Sequence, residues 1–249
     1  VDRNLIGDLA HADHPVAAPL ADDTVDALLR HALDGQRSVL DLGCGDGTWL
    51  LRALRLQPGL HAVGVDLSGA GFERTRTAAD AEGLGDRLAL HVADAATWSS
   101  DERFDVVLSI GATHAFGGLV PTVEAAASHL GPSGRLLVGG CFWEQPPGAR
   151  ALEALGAAAG DYRDLASTVE AVRAVGWEPL DGHVSSLAEW DAYEWSWTGS
   201  LTRWAVEHPE HPSSAEVLEV AAQHRTAWLG GYRGTLGFVT LLLVQRPVH

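Results

Sequence analysis

From Ser38 onward, short apolar runs alternate with helical patterns five times over, and that alternation restricts the chain to a mainly parallel β-sheet with crossover helices. "SVLDLG" (38–43) leads into the helical "GTWLLRALRLQ" (47–57), and "HAVGVDLS" (61–68) leads into "AGFERTRTAADAEG". "LALHVADA" (88–95), "FDVVLSIGA" (104–112) and "GRLLVGGCFW" (134–143) supply a third, fourth and fifth strand. Farther on, "TVEAVRAVGW" (168–177) is predicted as a helix ending at Gly176 and "EPLDGHVSS" (178–186) as a strand. "TLGFVTLLLVQRP" (235–247) is a long apolar closing strand. The aromatic-rich stretch 187–234 between the last two is helical on both sides of a proline-containing break, and it is too long for a hairpin loop. Ahead of the first strand, Val25, Leu28, Leu29 and Ala32 fall on one face of a helix, with Asp22 and Asp23 placed to offset its dipole.

The 249 residues, 46% of them hydrophobic, can bury one large core or two small ones. The expectation is a single α/β domain over 1–249, with an N-terminal helical or lid segment at 1–35 and a helical cover at 187–234. A net charge of −16 makes a broad phosphate-binding face, and so a nucleic-acid partner, unexpected. All 17 basic residues are arginines, which excludes a lysine Schiff base and a Walker lysine. Two cysteines, Cys44 and Cys141, argue against a disulfide scaffold and a structural zinc site, and fit a reducing cytoplasm. Residues 1–20 carry Asp2, Arg3, Asp8, Asp13 and two histidines, so no signal-peptide core is expected there. No apolar run approaches the roughly 18 residues of a membrane helix.

The first strand ends in "DLGCGDG", residues 41–47. Strand, glycines, helix is the geometry that brings backbone close to a nucleotide-like ligand at the carboxyl end of a parallel sheet. The glycines at 43, 45 and 47 do not follow the G-x-G-x-x-G spacing of dinucleotide folds. Asp41 and Asp46 would repel a pyrophosphate, with no arginine in the loop to compensate; a cationic ligand suits them better.

This loop resembles motif I of the class I S-adenosylmethionine-dependent methyltransferases, and the likeness extends over most of the chain. It implies a Rossmann-like seven-stranded sheet of order 3-2-1-4-5-7-6, the last strand antiparallel, helices on both faces, and the insertion lying between strands six and seven. It implies S-adenosylmethionine as cofactor, with S-adenosylhomocysteine as product. By position, Asp41, Gly43, Cys44 and Gly45 would line the methionine end, and Gly47 would let the following helix approach the strand. Asp66, followed by Leu67, matches the acid that grips both ribose hydroxyls, a task suited to two acceptor oxygens. Asp94 matches the acid that accepts from the adenine amino group, with Ala95 offering its backbone nitrogen. Ser109, Ile110 and Gly111 follow the fourth strand where cofactor meets substrate. Taken singly, Asp66 could cap a helix and Asp94 could be a turn residue; three acids at the ends of three successive strands favour the cofactor. Cys44 is expected to be a small filler, having no base beside it.

"SIGATHAFGG", "WDAYEW", "YRGTLGF" and the N-terminal "HPVAAPL" resemble a sub-group of bacterial methyltransferases. The chain lacks the D/N-P-P-Y/F of nucleic-acid amino-methyltransferases, having "SIGA" in that place, and the cysteines of arsenite-type enzymes.

Methyl transfer is an in-line displacement that positioning alone can promote, and a base is needed only for a protonated acceptor. His114 is the candidate base; binding a neighbouring loop is the equally open alternative. Trp143, Glu144, His14, Tyr193 and Trp197 are candidate substrate contacts. Glu144 suits a cationic acceptor or plain solvation. Of the aromatic group Trp190, Tyr193, Trp195, Trp197 and Trp204, most should pack the extra helices, and one or two suit a flat apolar pocket. His11, Asp13 and His14 have H-x-x-H spacing, but a lid is favoured over a metal site, and no metal is expected. His208 and His211, beside prolines, should be exposed. The expected function is methyl transfer to an oxygen or nitrogen of a small molecule, of a kind an aromatic or heteroaromatic ring would satisfy, by a monomer or homodimer without membrane or nucleic-acid partners. The alternatives are a protein or peptide methyltransferase and a regulatory protein that binds the cofactor without transfer.

Overall fold

The computed structural model describes residues 3–14 and 16–246. Of the residues named above, Asp2, Pro15 and Pro247 lie outside these. In chain order the elements are α1 (Arg3–Ala10), α2 (Asp22–Leu33), β1 (Ser38–Leu42), α3 (Thr48–Leu56), β2 (His61–Asp66), α4 (Phe72–Ala81), β3 (Leu88–Val92), β4 (Phe104–Ile110), α5 (Leu119–Ala127), β5 (Leu130–Trp143), α6 (Ala149–Leu155), α7 (Leu165–Ala174), β6 (Trp177–Val184), α8 (Leu187–Glu207), α9 (Ser214–Ala227) and β7 (Leu236–Gln245). One seven-stranded sheet has the order β3-β2-β1-β4-β5-β7-β6, the order the resemblance implies. β1 pairs in parallel with β2 and β4, as do β2 with β3 and β4 with β5, while β6 and β7 are antiparallel.

The chain divides into two compact units: a sheet unit of residues 21–140, 166–184 and 238–249, and a helical unit of residues 1–20, 141–165 and 185–237. In the sheet unit, Val39, Leu40, Leu42, Val65, Val106, Val107, Leu108, Leu136 and Leu137 are fully buried on the central strands, the near-continuous apolar pattern of a sheet covered on both faces. The predicted face of α2 is its buried face: Val25, Leu28, Leu29, Ala32 and Leu33. The Asp105 carboxylate accepts from the backbone N–H groups of Arg37 and Ser38, holding the start of β4 against the start of β1.

In the helical unit, α8 starts at a capping box in which Ser186 Oγ accepts from Glu189 N and the Glu189 carboxylate accepts from Ser186 N, satisfying two helix-terminal donors at once. Its buried face reads Trp190, Glu194, Thr198, Leu201, Ala205, the helical repeat of one stripe. Leu201 and Ala205 meet Ala10 of α1 and Val217 and Ala221 of α9 in one apolar cluster. α9 runs on into a wide π-turn, Trp228–Tyr232, that buries both of its end residues.

Several boundaries differ from expectation. β5 begins at Leu130 rather than 134, α7 ends at Ala174 and Trp177 already belongs to β6. The segment 1–35 is not one element. Residues 3–10 form a helix the sequence pattern did not reveal, grouped with the helical unit, whereas α2 belongs to the sheet unit. Among the described residues, no helix is long and apolar enough to cross a membrane.

Candidate active site

Glycines at 43, 45 and 47 hold φ of +84°, +57° and +88°, a region that strains any residue with a Cβ. That conformation turns the chain sharply off β1 and starts α3. The Gly43 and Cys44 N–H groups both donate to the Val65 carbonyl, at 2.9 and 3.1 Å, hooking the loop over the end of β2. A Cβ on Gly43 would stand 2.4 Å from that of Ala112, so the turn after β4 closes directly on the loop. One on Gly47 would reach Leu90 and Thr75 at 3.3 Å, in keeping with a close approach of helix to sheet. At Gly45 a Cβ would meet nothing within 4 Å: the backbone there faces open space.

The three strand-end acids occupy different environments. Asp66 accepts the Gly45 N–H on Oδ2 (2.8 Å) and the Ser68 N–H on Oδ1 (2.9 Å), leaving a lone pair on each oxygen. Asp94 is exposed, and its Oδ1 accepts from Ala96 N at 2.9 Å, while Ala95 is buried. Both therefore perform the turn role and keep acceptor capacity in reserve. Asp41 is only 3% exposed. No described residue donates a hydrogen bond to its carboxylate or pairs with it, and burial, reinforced by the like charge of Asp66, pushes its pKa up to about 7.

The other acid of the loop is compensated after all. Arg74 of α4 reaches Asp46 Oδ2 at 2.7 Å, Asp46 Oδ1 accepts the Thr48 N–H at 2.9 Å, and the Thr75 hydroxyl donates to the Asp46 carbonyl at 2.6 Å. Asp46 is thus committed to holding α3 and α4 together. The loop itself contains no arginine, but the fold brings one to it from 28 residues away.

Cys44 is buried, and its thiol pKa is pushed far up by burial and by the Asp41 and Asp66 charges, which removes it from nucleophilic chemistry. A Cβ on Gly64 would lie 2.8 Å from its Sγ, so the thiol fills the space that glycine leaves. Ser109 is fully buried, with its hydroxyl donating to the Leu42 carbonyl at 2.9 Å. Ile110 and the exposed Gly111 follow it, and the Gly111 N–H donates to the Gly139 carbonyl. His114 sits exposed in a short 3-10 turn, Thr113–Phe116, and its imidazole makes no hydrogen bond with any described residue. Leu67 and Val92, at the ends of β2 and β3, are 71% and 64% exposed, two large apolar side chains turned out beside Asp66 and Asp94.

Within the helical unit, Tyr193 stands among His11, His14 and Trp190, with ring centroids 6.0, 5.4 and 6.4 Å away. Its hydroxyl has no hydrogen-bond partner among the described residues, and burial pushes its pKa up. His14 Nδ1 bonds the Val16 carbonyl at 2.7 Å. Asp13 accepts from Ser200 Oγ and Arg203 Nη1 at 2.7 and 2.8 Å, fastening the segment after α1 to α8. Trp143 is buried, its Nε1 donating to the Ala159 carbonyl at 2.9 Å and its ring edge-on to Tyr162; Glu144 is exposed. His208 and His211 are exposed as expected, and both rings pack on Trp204. The described residues hold no group of three metal-ligating side chains.

The sequence pattern missed one polar centre of the helical unit. Glu194, 2% exposed, accepts from the Tyr232 hydroxyl and from His224 Nε2, each at 2.7 Å, and His224 stacks on Trp197 at 3.9 Å. The only hint was an acid on the apolar stripe of "YEWSW". Its partners lie 30 and 38 residues away.

A family model described as "Methyltransferase domain" matches residues 39–134, which hold the loop and β1 to β4. The uncharacterized protein YjhP of Escherichia coli is 28% identical over 84% of this chain and 85% of its own. A SAM-dependent methyltransferase from Geobacter sulfurreducens, solved with S-adenosylhomocysteine, superposes with a TM-score of 0.88 at 25% identity, covering 97% of this chain and 98% of that one. One from Thiobacillus denitrificans, also with S-adenosylhomocysteine, gives 0.86 at 28% identity over 99% of both. The residues present fit that group: open space over Gly45, free lone pairs on Asp66, exposed apolar surface at Leu67, and an uncompensated carboxylate at Asp41 for a positive ligand. Residues 39–134 are a methyltransferase domain, and the chain is similar over almost its whole length to S-adenosylmethionine-dependent methyltransferases.

Proposed function

We propose that the enzyme methylates an oxygen or nitrogen of a small, flat acceptor. The observation that carries this is Tyr193, whose partnerless hydroxyl and ring stand in an aromatic surround of His11, His14 and Trp190. Such a surround offers π-faces and one polar handle, which suits an aromatic or heteroaromatic acceptor. Trp197 supports His224 by stacking, and Trp143 is anchored through its indole nitrogen, so both would shape the acceptor's surroundings rather than bond to it. The acidic chain and the lysine-free composition also favour a small acceptor over nucleic acid.

In this scheme Asp41, Gly43, Cys44 and Gly45 hold the methionine end of the cofactor, Asp66 takes the ribose hydroxyls on its spare lone pairs, and Leu67 covers the adenine. Asp94 and the Ala95 N–H meet the adenine edge, while Ser109, through its bond to Leu42, fixes the end of β4 where Ile110 and Gly111 turn. When bound, the cofactor supplies a methyl carbon on a sulfonium that departs as a neutral thioether. His114, with no competing hydrogen bond, accepts the proton of an acceptor that needs to lose one.

Incubation with methyl-labelled S-adenosylmethionine and a small-molecule extract, followed by mass spectrometry, tests this. Label is expected in a small-molecule product; label confined to protein would overturn it in favour of a peptide acceptor.

A further inference from the structure

The helical unit holds a groove that none of His11, His14, Trp190 and Tyr193 lines. It lies between α6 and α9, is closed at one end by the π-turn, and encloses about 530 Å³. Its floor is made of small residues, Ala154, Ala222, Ala227 and Gly230. A Cβ on Gly231 would stand 2.5 Å from that of Ala154, so α6 rests directly on the turn, whereas one on Gly230 would meet nothing within 4 Å. Two acids stand in the walls. Glu219 accepts from Gln223 Nε2 at 2.7 Å, and the Glu153 carboxylate makes no hydrogen bond or ion pair with any described residue. Arg150 is the one cation of the lining, so the acids outnumber it.

A side chain of the complementary kind stands on the same unit. Trp195 is 53% exposed, and its place two residues beyond Tyr193 turns it away from that ring's side of α8. Its ring packs edge-on to Trp228, and the Arg225 guanidinium lies over it, 5.9 Å from the centroid. Arg225 has no carboxylate partner among the described residues; its Nη2 donates to Thr202 Oγ1 at 3.2 Å, and its Nε is buried without a partner. Between this aromatic, cationic knob and the groove runs an apolar strip of Leu218, Ala222 and Leu229, where Leu218 and Leu229 are 39% and 49% exposed. Helical periodicity puts Arg225 on one flank of the strip and Glu219 and Gln223 on the other.

We propose that two copies of the chain pair through this face of the helical unit, the Trp195 and Arg225 side chains of each entering the groove of the other. The small floor leaves room for the indole, and the guanidinium meets Glu153 and Glu219. Because knob and groove flank one apolar strip, a two-fold axis running along α9 sets each knob against the other copy's groove, and the contact closes on itself. A chain of net charge −16 repels its own copies, so a self-contact must bring positive charge against acid, as Arg225 does here. Tryptophan and arginine are also the side chains that most often carry the energy of an interface when they fill a pocket.

Sedimentation velocity of the full chain from about 1 to 100 µM tests this, and a monomer–dimer equilibrium is expected. Trp195→Ala should raise the dimer Kd by about 30-fold or more. Arg225→Glu, and the double variant Glu153→Arg, Glu219→Arg, each set like charges together and should raise it by about tenfold or more. An equimolar mixture of those two proteins restores opposite charges at both contacts and should recover wild-type affinity. A chain that stays monomeric throughout, variants that associate as tightly as wild type, or a mixture no tighter than its components would each overturn the proposal. Hydroxyl-radical footprinting of the unaltered chain decides the matter even if a variant does not fold: Trp195, Leu218 and Leu229 should lose reactivity as concentration rises, and unchanged reactivity at all three would overturn it.

Discussion

Asp41→Asn should stabilise the ligand-free protein at alkaline pH and not at acid pH. In the folded chain burial, then the Asp66 charge, raises the Asp41 pKa from 3.8 to about 7. The native state thus holds a proton that the unfolded state has already lost. This contribution to stability is complete below pH 3.8 and disappears progressively as pH rises to about 7; above that the folded protein confines an unpaired charge. Three pH units at about 1.4 kcal/mol each make the whole term about 4 kcal/mol. Asparagine removes the charge but leaves an amide without donors or acceptors in place, which returns about 1–3 kcal/mol of that gain. A net stabilisation of about 2 kcal/mol at pH 8 follows, turning into a net destabilisation of about 2 kcal/mol near pH 4, where the wild-type carboxyl keeps its proton and only the cost of the amide remains. Asp13, Glu82, Glu178 and Asp181 have lowered pKa values, so their stabilising contributions are lost instead as pH falls; the difference between wild type and variant cancels them. Urea unfolding followed by tryptophan fluorescence at about pH 4.5, 6 and 8 measures the difference. A difference that does not change with pH, or a variant less stable than wild type at pH 8, would show that Asp41 is ionised and satisfied in the native state and would refute the reasoning.

Asp66→Ala removes the acceptor of the Gly45 and Ser68 N–H groups together with the spare lone pairs, and S-adenosylhomocysteine affinity should fall by about 10- to 100-fold by calorimetry, at about 1.5–3 kcal/mol for hydrogen bonds to a charged group; an unchanged Kd would remove it from the site. Glu194→Ala leaves the Tyr232 hydroxyl and His224 without their common acceptor in a buried setting and should cost about 3–5 kcal/mol of stability by denaturant titration, with Glu194→Gln costing less. A loss below about 1 kcal/mol would mean that His224 and Tyr232 find other partners. His114→Ala should slow turnover of a protonated acceptor by about 100-fold while S-adenosylhomocysteine binds as before, and a retained rate would leave the base elsewhere.

What local pattern determines, the sequence carried openly. Period-two and continuous apolar runs, each ended by a glycine or an acid, located the strands to within a few residues. Asp41, Asp66 and Asp94 could be placed at successive strand ends because strand and turn preferences act over a handful of neighbours. Where the signal was short or overlapped a turn, boundaries slipped, as at Leu130 and Trp177, and the eight-residue α1 went unseen because its residues gain their helical stability from packing on α8 and α9.

Which acid is satisfied and which is left bare was decided by the tertiary structure alone. Asp41 and Asp46 read alike in "DLGCGDG", yet Arg74, 28 residues on, neutralises one, and the closed end of β1 strands the other. Glu194 looked like one more charge in an aromatic helix until α9 and the turn after it brought His224 and Tyr232 to its two oxygens. The hydrogen bond from the Trp143 indole to the Ala159 carbonyl was likewise invisible in the sequence, because its acceptor lies 16 residues on. Apolar periodicity is written in neighbouring residues, whereas charge compensation and burial depend on which distant segments the folded chain sets side by side, and those are the quantities that decide where a proton or a cation can sit.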